Sequence, residues 1–132
     1  MQVHAGNYNY SQKAIFQQVA ASKPGEVILI QGPPGTGKTE TITGIVAMLL
    51  QLRTEFCRVQ VCAPSNCAVD EILTRVKDRG LVGITNEVKS LKKLVVRVGA
   101  PEYEPDEHIK DFTLQARCLE LAAGERIEKL YK

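Results

Sequence analysis

Eight consecutive residues, Gly32-Pro33-Pro34-Gly35-Thr36-Gly37-Lys38-Thr39, limit what this chain can fold into more than any other feature. They match the spacing G-x-x-x-x-G-K-[ST], in which glycines let the backbone wrap closely round a phosphate chain. Such a loop needs a strand before it and a helix after it, because the helix N-terminus turns N–H donors and a positive dipole end toward the anion. Both flanks are legible. Val27-Ile28-Leu29-Ile30 is a continuous apolar run, as expected of a strand buried on both faces of a parallel sheet. Ile42, Ile45, Val46, Leu49 and Leu50 fall at i, i+3, i+4, i+7 and i+8, one face of a helix. With glycine near ~7% of residues, the spacing G-x-x-x-x-G-K-[ST] arises by chance in on the order of one chain in a few hundred of this length. The implied ligand is a nucleoside triphosphate. Lys38 would add a point charge at the β- and γ-phosphates, and Thr39 would offer its hydroxyl to Mg²⁺. The nucleotide-binding stretch is taken as Gly32 to Glu40.

The same alternation extends to either side. Asn9 suits a helix N-cap with Gln12 three residues on, and the helix should run to about Ala21 with Ile15, Phe16 and Val19 inward. Lys23-Pro24-Gly25 breaks it. Downstream, Arg58-Val59-Gln60-Val61-Cys62 reads as a strand and Ala63-Pro64-Ser65-Asn66 as a loop. Val69, Ile72, Leu73 and Val76 mark a helix from Cys67 to Arg79, closed near Gly80. Leu94 to Val98 reads as a further strand. The order α-β-α-β-α-β predicts an α/β fold with a parallel sheet and right-handed crossovers. After Pro101 the composition turns acidic, and from about Asp106 to Lys132 it turns helical, with Leu114, Cys118 and Leu121 as an apolar stripe. The expected division is 1–104 for the nucleotide-binding part and 105–132 for a helical segment after it. That helix has no closing signal, so the chain is expected to be an N-terminal piece of a larger domain.

Composition removes several function classes. The 132 residues are 44% apolar, enough for one domain with a real core. A net charge of +2 excludes a strongly basic nucleic-acid arm, though not local patches. With no Trp and 5% aromatics, a base-stacking platform is not expected. None of Cys57, Cys62, Cys67 and Cys118 forms a C-x-x-C pair, and His4 and His108 lie far from them, which favours reduced thiols over a zinc site. Met1 to Tyr10 is polar with no secretory apolar core, and the longest apolar run, Ile45 to Leu50, is too short for a bilayer. An intracellular, soluble protein without membrane partners is the expectation.

Loops at the carboxyl ends of neighbouring parallel strands share one sheet edge, so Ala63-Pro64-Ser65-Asn66 should lie beside the phosphate loop. Ser65 and Asn66 are small hydrogen-bonding groups suited to a phosphate or sugar. Equally, either could simply cap the helix that follows. The residues alone leave both readings open.

Four segments occur in order: Asn9-Tyr10-Ser11-Gln12; Gln31 through Thr39; Ala63-Pro64-Ser65-Asn66 with Ala68-Val69-Asp70; and Val96-Arg97-Val98-Gly99. Together they resemble the first motor domain of superfamily 1 helicases, in particular the branch containing senataxin and the nonsense-mediated-decay RNA helicase. The resemblance covers about Asn9 to Gly99. The phosphate loop alone is shared with hexameric AAA ATPases, and the Ala-Pro-Ser-Asn-x-Ala-Val-Asp segment is the specific part. The resemblance implies a RecA-like P-loop NTPase domain, ATP and Mg²⁺ as cofactors, and single-stranded RNA or DNA as partner. It implies that Lys38 and Thr39 serve catalysis and that Pro64, Ser65 and Asn66 hold the strand. It also implies that Gln12 reads adenine, in which case its side chain is not free to close a capping box. Arg97 lies in a segment resembling a family core strand and is left either structural or facing the nucleic acid. A monomer in the nucleus or cytoplasm is expected, the nucleus slightly favoured.

One departure stands out. Such motors need an Asp-Glu pair after an apolar strand, for Mg²⁺ and for the attacking water. Of the two Asp-Glu pairs, Asp70-Glu71 falls inside a predicted helix and Asp106-Glu107 follows Pro105 with no apolar strand. Residues from 105 onward resemble the start of the helical insertion that precedes that strand in the family, so the fragment alone should be catalytically incomplete. The alternatives are an AAA-type ATPase, a nucleotide kinase, or a non-catalytic nucleotide- or nucleic-acid-binding module.

Overall fold

The computed structural model describes residues 8–52, 58–81, 84, 87–100 and 103–130. Of the residues singled out above, His4, Cys57 and Pro101 fall outside these residues. Among the described residues five α-helices follow in order: α1 Tyr10–Ala21, α2 Lys38–Leu52, α3 Asn66–Arg79, α4 Val88–Leu94 and α5 Leu114–Leu130, with a 3-10 turn at Lys110–Phe112 before α5.

Helix α1 begins where the capping residues place it. Asn9 Oδ1 accepts from Gln12 N at 2.9 Å, and Gln12 Oε1 accepts from Asn9 N at 3.0 Å, a reciprocal pair that satisfies two otherwise orphaned amides. It ends in a turn in which Glu26 N donates to Lys23 O, with Pro24 and Gly25 (φ 82°) at its centre. Phe16 is the buried anchor of α1 on α2. At Gly44 of α2, an added Cβ would lie 2.7 Å from Phe16 Cζ and 2.8 Å from the Tyr8 hydroxyl, so the close approach of the helices requires glycine there. Tyr8 and Phe16 meet edge to face, ring centroids 4.7 Å apart.

The expected inward face of α2 is corrected. Its buried residues are Thr41, Gly44, Ala47 and Met48. Small side chains on this face let α1 pack tightly, which displaces the Ile42–Ile45–Leu49 stripe to the flank; Ile42 is exposed. The core joins Ala47 of α2, Leu73 and Val76 of α3, Leu81, Leu91 of α4, and Ile109 and Phe112. The sequence pattern assigns the last two to a helical tail. Instead α5 starts only at Leu114, and the preceding segment folds into turns that carry Ile109 and Phe112 into the core with no exposed surface. The expected Leu114–Cys118–Leu121 stripe is exposed, because α5 is tied down at its first turn, where Thr113 Oγ1 accepts from Ala116 N and donates to Lys110 O.

The expected strands do not pair into a ladder among the described residues. Leu94 closes α4 rather than opening a strand, and Val95 after it is extended. Arg97 makes an isolated parallel bridge to Thr113, with Arg97 N donating to Phe112 O at 2.8 Å and Leu114 N to Arg97 O at 3.0 Å. Val27–Ile30 and Arg58–Cys62 carry neither helix nor ladder, and among the described residues no strand ladder forms. Val27 and Leu29, expected to be buried on both faces, are 81% and 92% exposed. An apolar cavity of about 380 Å³ lies where α2 and α3 face these segments, lined by Val46, Leu50, Val61, Ile72, Val76 and Val96. No described helix is long and apolar enough to cross a membrane.

Candidate nucleotide and nucleic-acid sites

The phosphate loop is shaped by its backbone. Gly35 and Gly37 both sit at φ 78°, the left-handed region that side chains resist, which folds the loop into the start of α2. Gly32 is needed for space: a Cβ there would lie 2.9 Å from Thr36 Oγ1, which donates to Pro33 O at 2.8 Å. Lys38 curls over the loop, its Nζ donating to Gly32 O at 2.9 Å and Pro33 O at 2.7 Å. The ammonium therefore rests on neutral carbonyls, partners that an anionic phosphate would outbid electrostatically.

Gln12 reaches this loop from α1. Its Nε2 donates to Thr41 Oγ1 at 3.1 Å and to Gly37 O at 3.5 Å, while Thr41 Oγ1 itself donates to Gly37 O at 3.1 Å. The Gln12 amide thus closes the capping box with its oxygen and braces the loop with its nitrogen. Gln12, Gly32, Pro33, Thr36 and Lys38 line a cleft of about 370 Å³ shared with the apolar side chains of Ile15 and Ile30. Pro34, Gly35, Gly37, Thr39 and Glu40 lie outside its lining. Glu40 pairs instead with Arg79 at 3.1 Å, joining α2 to the end of α3. Tyr8, packed over α2, has its phenol pushed upward by burial and by the negative charge of Glu40. Sequence reasoning misses Thr41. Its signal is a hydroxyl in register with a helix-facing glutamine, visible only once α1 and α2 are packed.

The second loop resolves the capping question for one residue and not the other. Ser65 is the N-cap of α3, its Oγ accepting from Ala68 N at 3.2 Å. Asn66 opens the helix and turns its Oδ1 to Arg97, which donates through Nη2 at 3.2 Å. The same guanidinium donates through Nε to Asp70 Oδ1 at 2.8 Å, one turn further along α3. Both partners are nearly buried, the side chains 4% and 10% exposed. The Tyr103 ring lies over the guanidinium, 5.0 Å from Cζ to its centroid. The phenol is pushed up to about 12 by the neighbouring Cys67 thiol and then by Asp70. Pro64 and Ser65 are exposed. Arg97, undecided from the sequence, is a buried structural residue. Gly99 explains its place in the Val96–Gly99 segment: an added Cβ would collide with Arg97 Nη1.

Neither Asp-Glu pair approaches the phosphate loop. Asp70 holds Arg97 and Glu71 pairs with Arg75 at 2.9 Å; Asp106 accepts from His108 N at 2.9 Å and Glu107 pairs with Lys110 at 3.4 Å. Cys62, Cys67 and Cys118 are free and exposed.

A family model described as an AAA domain matches residues 7–129. Helicase sen1 of Schizosaccharomyces pombe is 46% identical over 89 residues, 56% of this chain and 5% of that protein. The ATP-dependent helicase NAM7 of Saccharomyces cerevisiae is 48% identical over 62 residues, 47% of this chain and 6% of its own length. Regulator of nonsense transcripts 1 of Caenorhabditis elegans is 36% identical over 122 residues, 92% of this chain and 10% of its own. The chain thus spans 5% to 10% of the length of these relatives. No solved structure matches it.

Proposed function

The chain belongs to this AAA-domain family of P-loop nucleoside triphosphatases, its counterparts being the first motor segment of helicases, and from that premise we propose that it forms the ATP-binding part of an ATP-dependent helicase that grips single-stranded RNA or DNA. One observation carries the proposal: a phosphate loop with two left-handed glycines, braced by Gln12 from a neighbouring helix, opens on a cleft.

In this reading the amides of Gly35 to Thr39 and the N-terminus of α2 receive the phosphates. Lys38 leaves its two carbonyls for the β- and γ-phosphate oxygens. The donor set suits the ligand: Lys38 holds its ammonium on the exposed Gly32 and Pro33 carbonyls of the loop, and left-handed Gly35 and Gly37 lead directly into the N-terminus of α2. Thr39, the first hydroxyl of α2, is the residue to hold Mg²⁺, which would offset charge on the phosphate oxygens. Gln12 borders the cleft and offers adenine both a donor and an acceptor once its nitrogen leaves Thr41 and its oxygen leaves Asn9 N. Pro64, Ser65 and Asn66 meet the sugar-phosphate backbone. Segments 27–30, 58–62 and 95–98 supply strands of a RecA-like parallel sheet, which accounts for their exposed Val27, Leu29 and Val98. The division into a nucleotide-binding part, 1–104, and a helical segment, 105–132, is kept, with Ile109 and Phe112 of the second packed into the core of the first. The free thiols fit a reducing intracellular compartment, nuclear or cytoplasmic.

Because the described Asp-Glu pairs are committed elsewhere, this chain binds Mg-ATP but turns it over far more slowly than a helicase. Strand binding has a shallow salt dependence. Of the scattered basic residues Arg75, Lys77, Lys92 and Lys93, Arg75 pairs with Glu71, Lys77 with the His108 carbonyl and Lys92 with Asp111, and the net charge is only +2. About two or three phosphate contacts give a log–log salt slope of roughly −1.5 to −2. The deciding experiment is titration with a fluorescent ATP analogue and Mg²⁺. Wild type binds and Lys38→Ala loses binding; equal affinities for the two would reject the site.

A further inference from the structure

We propose that Arg97 is a positioning residue for the nucleic-acid contact: it orients the Asn66 amide so that the nitrogen, and not the oxygen, faces outward. This rests on the reading above that Pro64 to Asn66 meet a single-stranded backbone.

The argument starts from what a guanidinium can do. It has five N–H donors and no acceptor, so a neighbouring amide must present oxygen to it. Asn66 Oδ1 does so at 3.2 Å. Turning the amide over would set two donors against each other. With its oxygen engaged, the amide plane is set, and Nδ2, which makes no hydrogen bond to any described residue, is left as the free donor of the amide. The outward group is then a pure donor at the first turn of a helix, matched to a phosphate oxygen and mismatched to another donor.

Arg97 is itself held firmly enough to impose this. Asp70 neutralises it at 2.8 Å, the Tyr103 ring covers it, and Gly99 leaves the space it occupies. Its backbone is bonded on both sides to the segment entering α5, through Phe112 O and Leu114 N. Being buried and neutralised, Arg97 does not attract phosphate directly; its influence runs through Asn66. Asp70 Oδ2 is buried beside the pair, so the carboxylate meets the guanidinium through Oδ1 alone. The Asn66–Asp70 spacing of four puts both side chains on one face of α3, so a single guanidinium reads both. A lysine at 97 could keep the Asp70 pair but would lack the planar second branch that reaches Asn66.

The test uses the 132-residue chain and a fluorescein-labelled oligouridylate at low salt, with the thermal midpoint recorded in parallel. Asn66→Asp keeps an acceptor for Arg97 and removes the outward donor. It is expected to hold or raise the midpoint while weakening strand binding by at least tenfold. Arg97→Lys is expected to weaken binding several-fold, and the double variant Asn66→Ala/Arg97→Lys to bind no more weakly than Asn66→Ala alone, although their midpoint losses add. If affinity losses multiply, or if Arg97→Lys lowers the midpoint and leaves affinity unchanged, Arg97 is only structural and the proposal fails while the strand reading stands. If wild type does not bind, or Asn66→Asp binds as well as wild type, the strand reading fails and the proposal with it.

Discussion

The two loops of this molecule are built by opposite means. Gly32 to Thr39 is made by backbone conformation: left-handed glycines set its path, and its one charged side chain lies exposed on its own carbonyls. The loop ending at Asn66 is made by side chains: a buried Arg97–Asp70 pair, an amide and an aromatic ring, drawn from positions up to 37 residues apart, from Asn66 to Tyr103. A loop formed by its own backbone can wait for a ligand with little internal commitment. A loop formed by distant side chains is rigid, and any change in one member reaches the others.

Truncating one cation in each loop should therefore have opposite consequences. Arg97→Ala leaves the Asp70 carboxylate buried without its counter-charge, a loss of about 3–5 kcal/mol of unfolding free energy. Lys38→Ala removes an exposed group and should change stability by no more than about 0.5 kcal/mol while abolishing nucleotide binding. Urea midpoints of the two variants check this. Comparable losses for both would mean that the Asp70–Arg97 pair is not buried in solution, and the contrast between the loops would collapse.

Glycines sharpen the same contrast. Gly35 is glycine for its φ of 78°, with open space where a methyl would go, whereas Gly99 is glycine because a methyl would strike Arg97 Nη1. Gly35→Ala should cost about 1–2 kcal/mol of backbone strain. Gly99→Ala should cost about 1–3 kcal/mol from overpacking, at the upper end because the guanidinium it displaces is held by Asp70. Chemical denaturation gives the order, and the opposite order would show that Arg97 yields freely.

Legibility divides along the same line. The phosphate loop is contiguous in sequence, so its residues, the cap at Asn9 and the helix closed by Gly80 can be read directly. Periodicity misleads on α2, because it counts apolar residues and overlooks that Gly44 and Ala47 allow the tightest packing. It misleads again at Ile109 and Phe112, two isolated apolar residues in a charged stretch with no period. Arg97 resists assignment because its meaning depends on Asn66 and Asp70, brought beside it only by the fold. The apolar segments 27–30 and 58–62 read as buried strands, yet burial there requires neighbours that composition does not reveal.

Gln12 belongs to both kinds of construction, being part of a local cap and a long-range brace. Gln12→Ala removes the acceptor for Asn9 N and the donor to Thr41 Oγ1, and should cost about 1–2 kcal/mol. If the side chain also reads adenine, the variant weakens ATP more than GTP in competition titrations. Equal weakening would confine Gln12 to bracing the loop.

The smallest effect is expected where an ion pair is exposed. Lys92 of α4 donates to Asp111 Oδ2 at 2.5 Å, tying α4 to the 3-10 turn beside Leu91 and Phe112. The hydrogen bond to Lys92, and then its charge, hold the Asp111 carboxyl below the ordinary aspartate value. A carboxyl whose folded pKa is depressed binds its proton more weakly when folded, so its contribution is fully present above the unfolded value of about 3.9 and is lost as pH falls through the lower folded value. The Asp111 side chain is 68% exposed, so the contribution is screened by solvent and salt. Asp111→Asn keeps the shape and an acceptor but removes the charge. The thermal midpoint of wild type should exceed that of the variant slightly at neutral pH. The difference should narrow below about pH 4 and also narrow at about 1 M salt, where the screening length falls to about 3 Å. A difference that survives both acid and salt would mean that the charge of Asp111 is not its cause, and that the α4 junction, like the Asn66 loop and unlike the phosphate loop, depends on side-chain geometry more than on charge.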